Sequence, residues 1–212
     1  MSRTCIIKAA QVTAAEISHL AGELEQGAVA VLPTDTVYGL GTGAFCEKSI
    51  ERIYQLKNRP GGMPLQLLAA TVQQARQVAQ FSAGAEKLAA RFWPGGLTVI
   101  LPPTSPGKKL ARGFAGLGLR VPACAVLGDI LGRMAGPLAC TSANLHGQPV
   151  VTDEEILLDI FNGKVDYILL AGSLSPVASS VIDLTAAPRL LREGTISRTQ
   201  LEDTLGEPIC LN

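Results

Sequence analysis

Four sets of residues in this chain combine hydroxyls, glycines and cationic side chains, the groups from which proteins build anion-binding sites. They are Pro33-Thr34-Asp35-Thr36-Val37-Tyr38-Gly39-Leu40-Gly41, Lys57-Asn58-Arg59-Pro60, Arg120-Val121-Pro122 followed by Thr141-Ser142-Ala143-Asn144, and Ser179-Ser180 with Arg192-Glu193-Gly194. Guanidinium and ammonium groups attract a phosphate, anhydride or carboxylate, and hydroxyls and glycine N–H groups hydrogen-bond to its oxygens. Because these residues spread from position 33 to position 194, the fold must bring them together if they form one site.

Each segment alone also has an ordinary structural interpretation. Pro33-Thr34-Asp35-Thr36 after an apolar run can be a turn held by side-chain hydrogen bonds to the backbone. Lys57 and Arg59 after a helix can simply complement the negative end of the helix dipole. Val37-Tyr38-Gly39-Leu40-Gly41 lacks the spacing of a P-loop or of a dinucleotide-binding G-x-G-x-x-G. The functional interpretation therefore depends on the combination.

Arg120 differs from the other cations because it interrupts an apolar run, Leu117-Gly118-Leu119-Arg120-Val121, that predicts a strand. A buried guanidinium needs an anionic or hydrogen-bonding partner. We expect that partner to be a ligand. The alternative is a structural ion pair with an acidic side chain.

The sequence offers no pattern for covalent or metal-based chemistry. His19 and His146 belong to no cluster with zinc-ligand spacing, and no G-x-S-x-G elbow suggests a catalytic serine. Nucleophilic catalysis is thereby disfavoured. What remains is positioning and electrostatic stabilisation, the regime of nucleotidyl transfer.

Composition limits the class of protein. The chain has 212 residues, 47% of them hydrophobic, which fits one domain with one sizeable core. Lys plus Arg equals Asp plus Glu at 18 each, so any basic site must be local. The five cysteines are odd in number and show no C-x-x-C spacing, which argues against a disulfide framework. With no apolar run long enough for a membrane span or signal peptide, we expect a soluble cytoplasmic protein.

Elements that would position the four segments alternate along the chain. Helices are predicted after the capping box Thr13-x-x-Glu16, over 47–57, 72–80, 83–92 and 126–134, after Thr152-x-x-Glu155 and after Ser197-x-x-Gln200. Strands are predicted over 28–32, 65–69, 97–101, 117–121, 138–141, 167–170, 180–184 and 189–191. Residues 102–118 are expected to form an exposed loop, and residues 57–62 a mobile loop that an anionic ligand would order. This mixing predicts one α/β domain with a twisted, largely buried mixed sheet flanked by helices.

The motifs taken together carry a family resemblance. To the segments already given are added Trp93-Pro94-Gly95-Gly96-Leu97-Thr98, Ser142-Ala143-Asn144-x-x-Gly147, Ser179-Ser180-Val181-Ile182-Asp183 and Leu191-Arg192-x-Gly194. In order, from about residue 10 to residue 197, they resemble the YrdC family of threonylcarbamoyl-AMP synthases. The resemblance implies a single YrdC-like domain over residues 1–212 with a concave, positively lined cavity, in the short form that lacks a C-terminal extension.

The resemblance also implies a reaction. L-Threonine, bicarbonate and ATP would give threonylcarbamoyl-adenylate and pyrophosphate, and a downstream transferase would pass the threonylcarbamoyl group to tRNA. Mg²⁺ would bridge the phosphates of ATP without a protein ligand set. Two alternatives remain open: a module that binds RNA, including double-stranded RNA, in the same basic cavity, and a nucleotide-binding relative with another substrate.

Site residues follow from the matching positions. Thr34, Thr36 and Tyr38 would line the threonine and carbamoyl pocket, with Arg120 on the threonine carboxylate and Ser179 nearby. The ATP phosphates would be bound by Lys57, Arg59, Ser142, Asn144 and Arg192, with Lys57 and Arg59 as catalytic cations and Cys140 and Val150 lining the nucleotide side. The chain departs from the family pattern at four positions, Asp35, Met63, Leu68 and Ser180.

Overall fold

The structure, a computed structural model, describes residues 3–59, 64–174 and 177–211. The strands are β1 Cys5–Lys8, β2 Ala30–Leu32, β3 Gly39–Gly43, β4 Gln66–Leu68, β5 Leu97–Leu101, β6 Leu117–Arg120, β7 Leu138–Ser142, β8 Tyr167–Leu170, β9 Ser180–Asp183, β10 Arg189–Arg192 and β11 Cys210–Leu211. The helices are α1 Ala14–Glu25, α2 Glu47–Leu56, α3 Val72–Val78, α4 Ala83–Phe92, α5 Gly107–Ala111, α6 Ala125–Leu131, α7 Glu154–Phe161 and α8 Arg198–Leu205, with a short 3₁₀ helix over Ala9–Gln11.

The described strands form one mixed sheet in the order β1-β8-β2-β3-β7-β4-β6-β5-β9-β10-β11. Pairs β1/β8, β2/β8, β4/β6, β5/β9 and β10/β11 are parallel, and the other five neighbouring pairs are antiparallel. Strands distant in sequence thus become neighbours at the centre of the sheet. This order brings the four segments predicted to form the site to one region, because they lie at the ends of β2, β6, β7, β9 and β10 and of α2.

Local signals at the helix ends predicted several elements correctly. Thr13 and Glu16 form both halves of a capping box, and the buried residues of α1 are Ile17, Leu20, Ala21 and Leu24, which lie on one face of the helix. A second capping box, between Ser197 and Gln200, opens α8. These caps satisfy the N–H groups that a helix start leaves unpaired, which is why the sequence pattern marks the boundary so well.

Strand β2 is buried on both faces, as its continuous apolar run predicted. Ala30 and Leu32 pack in one apolar cluster with Leu24 and Leu138, whereas Val31 packs on the opposite face. Because side chains alternate across a strand, a run of consecutive apolar residues fits a sheet covered on both sides. The prediction of an α/β fold with a largely buried mixed sheet is confirmed.

Residues 102–118 are not the exposed loop that the sequence predicted. Helix α5 lies inside this range, and Gly107 and Ala111 are buried. A Cβ atom on Gly107 would lie 1.8 Å from the carbonyl oxygen of Val78. Glycine is therefore present here for close packing, although its abundance in the segment suggests a loop.

The N-terminal cap of α7 is Asp153 and not Thr152. The Asp153 carboxylate accepts hydrogen bonds from the N–H groups of Glu155 and Ile156, at 2.8 and 3.2 Å. The observed cap lies one residue after the predicted one. The sequence does not distinguish the two positions, because Asp and Thr both cap helices through a side-chain oxygen and here stand next to each other.

Strand β3 was not predicted, because its sequence is rich in glycine, which has low strand propensity. Gly39 and Gly41 pair with β2 on one side and with β7 on the other, so their backbone groups take part in the pairing of the sheet. A Cβ atom on Gly39 would lie 2.5 Å from Sγ of Cys140. These two glycines permit close strand packing; the suggestion that they free N–H groups for an anion is wrong.

Strands β1 and β11, at the two edges of the sheet, were also missed. None of the helices in the described ranges has the length and apolar character needed to span a lipid bilayer.

Candidate active site

A cavity of about 510 Å³ lies over the central strands of the sheet. Its lining includes every residue that the sequence analysis proposed for the site except Lys57 and Asn144. The proposed residues in the lining are Thr34, Thr36, Tyr38, Arg59, Arg120, Cys140, Ser142, Val150, Ser179 and Arg192. The fold thus assembles residues separated by most of the chain around one space.

Arg120 is 2% exposed and is held from three directions. Its Nε donates to the carbonyl of Gly95 at 2.9 Å, Nη1 to the hydroxyl of Thr36 at 2.9 Å and Nη2 to the carboxylate of Asp35 at 2.5 Å. Burial lowers the pKa of Arg120, and the negative charge of Asp35 opposes that shift. Asp35 provides the anionic partner that a buried guanidinium requires, so burial alone does not demand a ligand at this position.

Arg120 nevertheless lines the cavity and keeps unused hydrogen-bond donors. A guanidinium has five N–H donors, and the protein contacts use one on each nitrogen. One N–H remains on each terminal nitrogen. This pair suits the two oxygens of a carboxylate.

A chain of hydrogen bonds leads away from Arg120. The hydroxyl of Thr34 donates to the carbonyl of Val37 at 2.7 Å and lies 3.0 Å from the hydroxyl of Thr36. Because the Thr34 proton is used in this way, Thr36 must donate to Thr34 while it accepts from Arg120. The Thr36 hydroxyl thus offers the cavity a lone pair and no proton.

A parallel chain leads away from Arg192, an exposed residue that lines the cavity. Arg192 donates from Nε to the carbonyl of Ser179 at 2.9 Å and from Nη2 to the Ser179 hydroxyl at 3.1 Å. Thr98 donates to the side-chain oxygen of Gln66 at 3.1 Å, so Ser179 donates to Thr98, 3.1 Å away. The Ser179 hydroxyl is therefore also left as an acceptor.

The neighbouring Ser180 has a structural role. Its hydroxyl donates to the carbonyl of Ile196 at 2.6 Å and accepts from the N–H groups of Gly194 and Ile196, both at 2.9 Å. A Cβ atom on Gly194 would lie 2.2 Å from the carbonyl oxygen of Ala178. Ser180 and Gly194 thus hold the turn after β10 against the strand that carries Ser179, which positions Arg192.

Arg59 reaches the cavity from the end of α2. Its Nη1 donates to the hydroxyl of Thr141 at 3.0 Å and Nη2 to the carbonyl of Pro64 at 3.1 Å, and the guanidinium lies 5.9 Å from the ring centre of Tyr54. Burial lowers the pKa of Arg59. The buried Nε has no hydrogen-bond partner among the described residues.

Lys57 and Asn144 lie behind the cavity wall. Lys57 is 2% exposed, and its ammonium donates to the carbonyl of Ser142, to the carbonyl of Asn144 at 2.6 Å and to the amide oxygen of Asn144 at 3.1 Å. Burial, with a smaller contribution from the charge of Arg59, lowers the pKa of Lys57 to about 8. Lys57 is therefore buried and hydrogen-bonded through all three N–H groups, which the prediction of a loop over residues 57–62 did not anticipate; residues 60–62 of that loop lie outside the described residues.

Tyr38 and Cys140 contribute to the wall without offering a reactive group. The Tyr38 hydroxyl donates to the carbonyl of Gly172 at 2.7 Å and accepts from the N–H of Ala171 at 2.8 Å. Tyr38 therefore ties the Thr34–Thr36 turn to the chain end of β8. Burial raises the pKa of the Cys140 thiol to about 12, so it carries no nucleophilic thiolate near neutral pH.

Several residues of the cavity were missed by sequence reasoning. Asp35 was noted only as a departure from the family pattern, and Gln66, Thr98 and Asp183 were not considered for the site although they line or support it. The signal available in the sequence was the alternation of side chains between the two faces of a strand. Thr98 is the one polar residue of β5 and Asp183 is the charged residue at the end of β9, so each predicts a polar space on one side of the sheet.

The departures at positions 63 and 68 have different outcomes. Leu68 is fully buried in the apolar cluster that contains Leu127 and Leu138, and it does not contribute to the cavity lining. Apolar packing satisfies it there, so no polar contact is missing at that position. Met63 lies outside the described residues.

Comparison with known proteins identifies relatives of this chain. The family model of Sua5, YciO and YrdC, described as telomere recombination, matches residues 23–194. The chain belongs to this family. A curated threonylcarbamoyl-AMP synthase of Pyrococcus abyssi is 36% identical to this Sua5/YciO/YrdC chain over 196 residues, which is 91% of this chain and 58% of that protein. A putative threonylcarbamoyl-AMP synthase of Mycobacterium tuberculosis is 34% identical over 189 residues, 87% of each chain.

The fold of this Sua5/YciO/YrdC chain is also shared with a solved structure. The crystal structure of P. abyssi Sua5 complexed with L-threonine superposes with a TM-score of 0.89 at 32% identity, over 100% of this chain and 63% of that one. The chain thus spans less than two thirds of the length of the P. abyssi protein. The shared part contains the whole cavity described above.

Proposed function

We propose that this chain is a threonylcarbamoyl-AMP synthase, which forms threonylcarbamoyl-adenylate and pyrophosphate from L-threonine, bicarbonate and ATP. The observation that carries the proposal is the meeting of Arg59, Arg120 and Arg192 around one cavity with two sets of oriented hydroxyls. The names of the relatives and the L-threonine complex of P. abyssi Sua5 support the same substrate class.

We assign the amino-acid end of the cavity to Arg120 and its neighbours. The two remaining N–H groups of Arg120 would bind the threonine carboxylate in a bidentate arrangement. The hydroxyls of Thr36 and Ser179 present lone pairs, which suit the amino and hydroxyl groups of threonine as donors. Thr34 and Tyr38 act from behind by fixing the turn that carries Thr36.

We assign the phosphate end to Arg59 and Arg192, with Ser142, Cys140 and Val150 beside the nucleotide. The reaction begins when the amine of threonine attacks the carbon of bicarbonate and water leaves, giving a carbamate. A carbamate oxygen then attacks the α-phosphorus of ATP, and the bond to pyrophosphate breaks. Negative charge grows on the phosphate oxygens during this step, and the fixed guanidinium groups stabilise it without further reorganisation.

Mg²⁺ fits this cavity as a companion of ATP. The one carboxylate among the described lining residues, Asp183, accepts hydrogen bonds from the N–H and hydroxyl of Thr185, at 2.8 and 2.7 Å, and pairs with Arg189 at 3.5 Å. A donor set of arginines and hydroxyls suits an ion held by phosphate oxygens and water. When bound, Mg²⁺ would supply charge neutralisation of the departing pyrophosphate.

The proposal extends to the partners of the reaction. The product is a mixed anhydride that water can hydrolyse, so a transferase that moves the threonylcarbamoyl group to tRNA must consume it promptly. We propose that this occurs in the cytoplasm, where free thiols such as the five cysteines of this chain persist. Direct RNA binding by the cavity side, weak at zero net charge, is a subsidiary part of the proposal that competition by tRNA against ATP would test.

The proposal is tested by pyrophosphate release from purified protein with ATP, Mg²⁺, L-threonine and bicarbonate. We expect release that stops when either threonine or bicarbonate is omitted. Release that continues at the same rate without threonine would instead favour a nucleotide-binding relative with another substrate.

A further inference from the structure

Lys57 uses all the hydrogen-bonding capacity of its side chain inside the protein. A lysine ammonium has three N–H donors and no acceptor. Its three acceptors are the carbonyl of Ser142, the carbonyl of Asn144 and the amide oxygen of Asn144. A phosphate could gain a direct bond to this buried ammonium only if one of these contacts broke.

Those contacts organise the turn that follows β7. The backbone carbonyl of Lys57 also accepts from the N–H of His146 at 2.8 Å. Asn144 continues the network, since its amide oxygen accepts from the Ser142 hydroxyl at 2.6 Å and its nitrogen donates to the carbonyl of Gln148 at 2.5 Å. Lys57 therefore forms four hydrogen bonds with residues 142–146, and Asn144 links this network to residue 148.

Arg59, two residues further along, has different surroundings. Its guanidinium contributes to the cavity lining, where it contacts Thr141, and its Nε has no partner among the described residues. The motif Lys57-x-Arg59 thus sends one cation into the protein and the other toward the ligand.

We propose that Lys57 is a positioning residue: it holds the 142–148 turn so that Ser142 faces the nucleotide, and it does not itself bind the phosphates. The inference rests on the proposed function because it divides the roles within the same nucleotide site. The burial that lowers the pKa of Lys57 to about 8 agrees with an ammonium that meets carbonyl dipoles in place of water.

The first test compares ligands that differ in phosphate number. Affinities for AMP, ADP and ATP are measured by titration calorimetry for wild type, Lys57→Met and Arg59→Met, with Lys48→Met as the control for loss of an exposed lysine on the same helix. Lys57→Met should weaken all three ligands by the same factor, about tenfold, as expected for loss of a supporting contact. Arg59→Met should lose more affinity with each added phosphate. A loss in Lys57→Met that grows from AMP to ATP overturns the inference.

The second test needs no nucleotide. Hydrogen exchange of the backbone over residues 142–148 should be faster in Lys57→Met than in wild type and unchanged in Lys48→Met. Unaltered exchange in Lys57→Met overturns the inference. A wild-type protein that binds no adenine nucleotide instead refutes the proposed function, and the exchange result still decides the role of Lys57.

If Lys57→Met does not fold, Asn144→Ala takes its place in both tests. Asn144 accepts from Lys57 and Ser142 through one amide oxygen, so its removal loosens the same turn while both backbone acceptors of Lys57 remain. Equal weakening of AMP, ADP and ATP supports the inference, and a loss that rises with phosphate number contradicts it.

Discussion

The three arginines of the cavity differ in their burial and in the contacts that they make within the protein. Arg120 is buried and paired with Asp35, Arg59 is partly buried with one nitrogen unpartnered, and Arg192 is exposed. A guanidinium held by several protein contacts loses little further freedom when it binds a ligand. This difference suggests that Arg120 sets geometry and specificity, whereas Arg59 and Arg192 respond to the charge of the nucleotide.

Replacement of Arg120 by Lys should separate the two ends of the site. Lys keeps the charge but loses the planar fork, so the threonine constant should rise roughly thirtyfold, or about 2 kcal/mol, while ATP affinity barely changes. Arg59→Ala should mainly weaken ATP. The Michaelis constants for both substrates and the melting temperature are measured for each variant.

The contact with Asp35 makes the melting temperature essential in this experiment. If Arg120 serves only as a structural ion pair, Arg120→Lys lowers the melting temperature and leaves both substrate constants near wild type. A stable Arg120→Lys protein with an unchanged threonine constant would remove Arg120 from the substrate site.

Lys57 should make the stability depend on pH in the alkaline range. Its folded-state pKa of about 8 lies below the usual 10.5, so the unfolded chain binds more protons between these values. The free energy of unfolding that Lys57 contributes must therefore rise as pH increases from 8 toward 10.5. Urea unfolding of wild type and Lys57→Met at several pH values isolates this contribution from those of tyrosines and cysteines. A difference between the two proteins that stays constant or falls with pH contradicts the burial argument.

At the scale of single elements, β3 and α7 show how packing and capping decide local structure. The glycines of β3 let it lie against β7, where the side chain of Cys140 occupies the space that a Cβ atom on Gly39 would need. Helix α7 begins where Asp153 satisfies two N–H groups. In both cases one residue type at one position determines whether the element fits.

Gly39→Ala should destabilise the fold by about 1–3 kcal/mol, because the new methyl group meets Sγ of Cys140 in a packed sheet. Cys140→Ala removes that sulfur and should recover much of the loss in the double variant. Chemical denaturation of the two single variants and the double variant measures the coupling. Additive losses would mean that the close approach is not the cause.

Asp153→Ala should lower the free energy of unfolding by about 1 kcal/mol, because α7 loses its cap. Thr152→Ala should change it by only about a few tenths of a kcal/mol. Thermal unfolding monitored by circular dichroism compares the two variants directly. An equal effect at both positions, or a larger one at Thr152, would show that the cap has been assigned to the wrong residue.

At the scale of the whole molecule, local signals in the sequence predicted most elements but not their arrangement. Capping boxes and apolar runs mark helices and strands because they depend on neighbours in the chain. The strand order depends on pairing between distant segments, such as β3 with β7, which no local pattern encodes. The edge strand β11 was missed because it has only two residues, and β1 because none of its four residues is buried and its sequence lacks the longer apolar run of the central strands.

The sequence predicted which residues line the cavity better than it predicted the role of each residue. Residue types and the family resemblance identified ten of the residues that line the space. They did not show that Lys57 points into the protein or that Asp35 pairs with Arg120, since both contacts join segments that only the folded sheet brings together. Side-chain direction, unlike residue type, is a property of the tertiary structure.

The central claim is that this one cavity joins threonine, bicarbonate and ATP in a single product. It is tested most directly by incubating the protein with carbon-labelled bicarbonate, L-threonine, Mg²⁺ and ATP and identifying the adenylate formed by mass spectrometry. The account predicts one product that contains AMP, threonine and the labelled carbon, in amounts equal to the pyrophosphate released. An adenylate without the label, or pyrophosphate released with no threonine-containing product, would contradict it.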